Sequence, residues 1–175
     1  MNIRYTISIY TENNVGLLNR ISAIFLKRHI NIVSITSSES EITDIFRFII
    51  VVDVDENQII KLIKQIEKQI EVISAFFHTN DEIIYLETAL YKVKSESLFK
   101  ERQIQNIIKE SRANMVTVKP EFFVIEKTGW RDETEELYQK LKPYGLMQFV
   151  RSGRIAVSKD SMEISKLLNI KKNYE

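Results

Sequence analysis

The residues in this chain best suited to holding a small molecule lie in one short run, Thr11-Glu12-Asn13-Asn14-Val15-Gly16-Leu17-Leu18. Before it, Ile3, Tyr5, Ile7 and Ile9 alternate with polar residues; after it, Leu17, Ile21, Ile24 and Phe25 recur at helical spacing. The run is therefore a strand-to-helix turn. A helix N-terminus offers N–H groups without intrahelical partners and the positive end of the helix dipole, and both attract a carboxylate. Asn13 and Asn14 add directional hydrogen bonds, and Gly16 lets a ligand or a second backbone come close. This chemistry suits binding the α-carboxylate and α-amine of an amino acid better than making or breaking bonds. Taken alone, the run is also an ordinary Asn N-cap with a permissive glycine, and residue physics favours that plainer reading.

Other chemistry is sparse. With no cysteine among the 175 residues, a disulfide framework, a thiolate metal site and a Cys nucleophile are excluded. His29 and His78 are the only histidines and sit in apolar contexts, so both read as structural or surface residues rather than metal ligands. Gly16, Gly129, Gly145 and Gly153 are far apart, with no GxGxxG or GxxxxGK[ST] to cradle phosphates. Lys61, Lys64 and Lys68 share a helix face with Glu67 among them, which makes a solvated face. The run Ile45-Phe46-Arg47-Phe48-Ile49 lacks the glycine and basic context of an RNA-binding sheet. Glu121 and Glu126 point to opposite strand faces and make a poor acid/base pair. Trp130 anchors a helix start or an interface. A net charge of +1 gives no general pull toward nucleic acid or anionic lipid. No apolar run approaches the roughly 20 residues of a membrane span, so a cytoplasmic protein is expected, without nucleic-acid or membrane partners.

The elements that position the turn follow from periodicity. After a helix from Gly16 to Arg28 come strands Asn31–Ser37 and Ile45–Val52. A capping-box-like Asp55-x-x-Gln58 opens a helix with Ile59, Leu62, Ile63, Ile66 and Ile70 on one stripe, and Val72–Phe77 is a closing strand. This β-α-β-β-α-β order is the ferredoxin-like split unit, an α+β fold. The rest of the chain repeats it at an offset of about 80 to 85 residues. The repeat has strands Thr88–Val93, Met115–Val118, Phe122–Glu126 and Leu146–Val150. Its helices are Ser97–Arg112 and one capped by Asp132-x-x-Glu135, and Ile155–Val157 extends the last strand. Thr79-Asn80-Asp81-Glu82 is the polar junction. Tyr5, Ile7, Phe48, Ile50, Phe76, Phe122 and Val124 supply apolar side chains to both sheet faces, and exposed sheet faces predict a homodimer.

The turn and the repeat coincide in a resemblance to a family. Glu12-Asn13-Asn14-Val15-Gly16-Leu17-Leu18-Asn19-Arg20, followed by Arg28-His29-Ile30-Asn31-Ile32, resembles the opening of the small regulatory subunit of acetolactate synthase, whose first half is an ACT domain. The likeness continues through Lys64-Gln65-Ile66-Glu67-Lys68-Gln69-Ile70-Glu71-Val72, Leu90-Tyr91-Lys92-Val93 and Ser111-Arg112-Ala113. It ends with Pro143-Tyr144-Gly145-Leu146 and Arg151-Ser152-Gly153-Arg154-Ile155-Ala156-Val157-Ser158. The resemblance implies an ACT domain over residues 1–79, for effector binding and dimerisation, and a second ferredoxin-like domain over residues 84–175.

What the family implies is a chain that performs no chemistry. It binds and activates the large catalytic subunit and confers feedback inhibition by a branched-chain amino acid, usually valine, held between the ACT domains of two chains. No cofactor is expected on this chain; thiamine diphosphate, magnesium and FAD belong to the catalytic subunit. The effector residues carried over are Asn13 and Gly16 from the turn and Asn31 from the second strand, with Leu17 and Ile32 beside them. Three departures stand out. His29 replaces a usual glycine and implies a different helix cap, the Ser37–Asp44 loop is rich in Ser and Glu, and Lys159-Asp160 replaces Arg-Gly. The alternative of a different class is a stand-alone ACT-type amino-acid sensor acting on another partner.

Overall fold

Strand β1 (Ile3–Glu12) is the central organiser of the first sheet, because both of its edges are paired. It runs antiparallel to β3 (Ile45–Val54) on one side and to β4 (Val72–Thr79) on the other. With β2 (Ile32–Glu39) beside β3, the order is β2-β3-β1-β4. The computed structural model describes residues 2–100 and 102–172. Alternation sends Tyr5, Ile7 and Ile9 of β1 to one face, opposite Val52, Ile50 and Phe48 of β3. That face is covered by α1 (Leu17–Lys27), through Leu17, Ile21, Ile24 and Phe25, and by α2 (Glu56–Ile66), through Ile59, Leu62, Ile63 and Ile66. The capping box expected at Asp55 is formed: Gln58 N donates to Asp55 Oδ1 at 2.8 Å and Asp55 N to Gln58 Oε1 at 3.2 Å.

The end of α1 corrects the expectation of a different cap. His29 takes φ +54, Ile30 N donates to Phe25 O at 3.0 Å and His29 N to Leu26 O at 3.0 Å. This is the glycine-type Schellman cap, retained with histidine in the left-handed conformation. A β-carbon there costs about 1–2 kcal/mol. His29→Gly is therefore expected to stabilise the protein by about 1 kcal/mol, read as a higher urea midpoint. The same cap recurs in the repeat. Arg112 has φ +52, Ala113 N donates to Ile108 O at 3.1 Å and Arg112 N to Lys109 O at 3.0 Å.

The second sheet is built on β5 (Ile83–Lys94), and β6 (Asn114–Val118), β7 (Phe122–Gly129) and β8 (Leu146–Arg151) complete the order β6-β7-β5-β8. Its helices are α3 (Ser95–Lys100), α4 (Arg102–Glu110) and α5 (Arg131–Leu141). The single helix expected over Ser97–Arg112 is thus two described pieces, with position 101 outside the described residues. Ala89, Tyr91, Val93, Ile104, Ile108, Phe123, Ile125, Leu137 and Leu141 form the core. Burial pushes the Tyr91 phenol far up, and its hydroxyl donates to Thr134 O at 2.7 Å. Helix α5 starts two residues earlier than the sequence suggests. Trp130 holds the N-cap position and its N–H donates to Glu133 Oε2 at 2.7 Å, so Asp132 and Glu135 lie inside the helix rather than capping it.

The described residues form two compact units, residues 2–84 with 155–172, and residues 85–154. The segment from 155 onward, read from sequence as part of an 84–175 domain, folds with the first unit. Two elements there depart from the sequence reading. Strand β9 (Ile155–Ser158), expected as an extension of β8, is a separate strand that pairs with β5; just beyond it, Lys159 N donates to Glu82 O at 2.9 Å. Helix α6 (Ile164–Lys172) places Leu168 in a cluster with Tyr10 and Ile45, flanked by Ile42, Ile73, Phe76 and Ile164. Phe76 and Tyr10 meet edge-on at 6.4 Å on the sheet face away from α1 and α2. Tyr5, Ile7, Phe48 and Ile50, by contrast, all belong to the helix-side core. The chain's own C-terminal helix covers part of the face that sequence reading left open for pairing.

No helix among the described residues is long and apolar enough to cross a membrane. Four carboxylates among the described residues are held below the usual range by hydrogen bonds: Glu82 by Thr79, Glu126 by Thr128 and Asn114, Glu135 by Arg151 and Gln139, and Glu136 by Lys140. Because their folded pKa values are lowered, the unfolded chain takes up more protons in acid. Their stabilisation is present above the unfolded carboxylate value, about 4.3, and is lost as pH falls through the folded values. Thermal midpoints are expected to hold down to about pH 5 and to fall below it.

Candidate functional site

Between β1 and α1 the chain turns at Gly16, which has φ +83 and occupies the N-cap of α1. The left-handed conformation selects glycine, and a β-carbon built there meets nothing within 4 Å, so the space above the backbone is open. The helix start carries no side-chain cap bond and no acidic residue in its first turn. This corrects the reading of an Asn N-cap. Asn14 instead folds back on the strand end, donating from Nδ2 to Glu12 Oε2 at 3.0 Å and from its backbone N–H to Glu12 O at 3.1 Å. Leu17 N makes only a long bond, to Asn14 O at 3.4 Å, and with no side-chain cap the start of this three-turn helix keeps its positive dipole end available to an outside acceptor.

These groups open onto a cavity of about 250 Å³. Of the residues predicted from sequence, Asn13, Gly16 and Leu17 line it. Asn31 and Ile32 do not: Asn31 is exposed, and Ile32 packs against the helix-side core. The remaining wall comes from residues that sequence reasoning passed over as binding groups, Ser37 on β2 and Phe46 and Phe48 on β3, with Leu18 at the rim. The two phenylalanines pack against each other at 5.3 Å. Their period-two spacing was the available signal, since it puts both on the sheet face that Leu17 of α1 packs against. The result is a small pocket with a carboxylate-binding end and an apolar wall of aliphatic and aromatic carbon.

The repeat has not kept this arrangement. Strand β5 passes into α3 at Lys94 and Ser95 without a glycine turn. There Ser95 Oγ donates to Lys119 O at 2.6 Å and Ser97 Oγ to Tyr144 O at 2.6 Å, both within the second unit. The turn's binding chemistry belongs to the first unit alone. Among the described residues no group of three His, Asp or Glu side chains is placed to hold a metal.

Fold and turn together define a class. Residues 5–71 match the ACT domain model, so the N-terminal part of the first unit is an ACT domain, and residues 86–160 match the model described as the small subunit of acetolactate synthase. The chain is 37% identical to the acetolactate synthase small subunit of Bacillus subtilis, over 90% of this chain and 91% of that one. It is 34% identical to that of Mycolicibacterium smegmatis, over 89% and 91%. The crystal structure of the acetolactate synthase small subunit from Thermotoga maritima superposes with a TM-score of 0.82 at 26% identity, covering 91% of this chain and 99% of the other. The chain belongs to the family of acetolactate synthase small subunits.

Proposed function

We propose that this chain is the regulatory, non-catalytic subunit of acetolactate synthase, that it binds and activates the catalytic subunit, and that it confers feedback inhibition by valine or a related branched-chain amino acid. The observation that carries the reading is the uncapped N-terminus of α1 at Gly16, opening onto a cavity walled by Leu17, Phe46 and Phe48. An α-carboxylate fits the helix start, Asn13 and Glu12 offer an acceptor for the α-ammonium group, and a branched aliphatic side chain fits the apolar wall. Thiamine diphosphate, magnesium and FAD are assigned to the catalytic subunit and none to this chain.

Val15 is fully exposed and Leu18 half exposed beside the cavity, which supports a homodimer in which a second ACT domain closes over the effector. Inhibition then requires the effector to prefer one arrangement of the subunits over another, because a ligand shifts an equilibrium only by its differential affinity. A coupling of about 1–3 kcal/mol, roughly 5- to 150-fold, is the usual range. The test is co-elution of the chain with the acetolactate synthase catalytic subunit, followed by its rate of acetolactate formation. Co-elution and a raised rate are expected. Separate elution with an unchanged rate would leave a stand-alone amino-acid sensor as the better account.

A further inference from the structure

We propose that the first unit carries a second small-molecule site, on the sheet face opposite the Gly16 turn, for a small carboxylate with an apolar body. A cavity of about 330 Å³ lies there, all of its lining drawn from the first unit. The two cavities are separated by strand alternation. Phe46 and Phe48 line the one at the turn, whereas Arg47, between them in sequence, lines this one together with Tyr10 of β1 and His78 of β4.

The polar end is a cation whose carboxylate partner, Glu41, is exposed and held at long range. Arg47 is the cross-strand partner of Tyr10, donates to Ser38 Oγ at 3.5 Å, and pairs with Glu41 at a long 3.8 Å. Tyr10 itself is buried, so it forms a fixed wall beside Arg47. The other carboxylate on the cavity, Glu163, is already paired with Lys166 at 2.6 Å. Phe76, Ile83, Val157 and Ile164 supply the apolar wall. A guanidinium takes a carboxylate in a bidentate grip far shorter than the Glu41 contact, and the volume lies at the small end of ligand pockets. The ligand is therefore a compact carboxylic acid whose anion displaces Glu41 from Arg47.

The test is a titration of 3-phenylpropanoate into the full chain, followed by amide chemical shifts. Saturable shifts at Ser8, Tyr10, His78 and Val157 are expected. Arg47→Met should weaken binding about 10-fold or more, since a hydrogen-bonded ion pair is lost. Glu41→Gln should tighten it by freeing Arg47. Val157→Trp, which keeps Arg47 and fills the cavity from an exposed position, should abolish it. Gly16→Asp should leave it unchanged, which separates this site from the one at the turn. Absence of saturable shifts at those amides, equal affinity in wild type and Arg47→Met, or equally strong binding of inorganic phosphate would overturn the proposal.

Discussion

Gly16→Asp is expected to weaken valine binding by at least about 100-fold, about 3 kcal/mol, while the protein stays folded. Space is not the obstacle, because a β-carbon at Gly16 meets nothing within 4 Å. Strain is modest, since the φ of +83 is one that Asp tolerates better than most residues. The effect comes from charge. An aspartate at the N-cap offers its own carboxylate to the donors of α1 and repels the incoming one. Gly16→Ala is the control: it carries at least as much backbone strain without the charge and should lose less than about 10-fold. Calorimetric titration of valine into the three proteins separates the two causes. Equal loss in both variants would mean that backbone geometry, not carboxylate recognition, governs the site.

The second large effect lies in the other unit. Glu87 is buried between Arg151 Nε at 3.8 Å and Arg154 Nε at 4.0 Å. Removing one partner of a buried ion pair leaves uncompensated charge and costs about 3–5 kcal/mol. Glu87→Ala should fall at the lower end, about 3 kcal/mol, because Arg151 keeps Glu135 at 2.8 Å and Arg154 keeps its stack on Tyr85 at 4.0 Å. Urea unfolding checks the magnitude. The double variant Glu87→Ala/Arg154→Met should recover part of the loss, since it removes one stranded charge along with its partner.

The core was legible in the sequence wherever one face of an element repeats with a clean period. Tyr5, Ile7 and Ile9 reveal β1, and Ile59, Leu62, Ile63 and Ile66 reveal α2, because periodicity directly encodes which side is buried. The Asp55–Gln58 box was legible for the same local reason. Helix α6 was not, since its apolar residues Ile164 and Leu168 sit in a short, lysine-rich stretch and gain meaning only from Tyr10 and Ile45, far away in the chain. The site divides along the same line. Asn13, Gly16 and Leu17 are close in sequence and so were found together, whereas Ser37, Phe46 and Phe48 reach the cavity through cross-strand register, which pairs Ser37 with Phe48. Asn31 and Ile32 were brought in by the family resemblance and lie outside the cavity lining. His29 shows the reverse case: composition argued against a glycine cap, yet the backbone keeps that cap with a strained residue, because neighbouring hydrogen bonds fix it.

The most direct test of the central claim is the rate of acetolactate formation by the catalytic subunit reconstituted with this chain, measured as valine is titrated. The rate is expected to be raised by the chain and lowered again by valine, with Gly16→Asp preserving the rise and removing the inhibition. Inhibition by valine that is undiminished in Gly16→Asp, or a rate that this chain does not change, would contradict it.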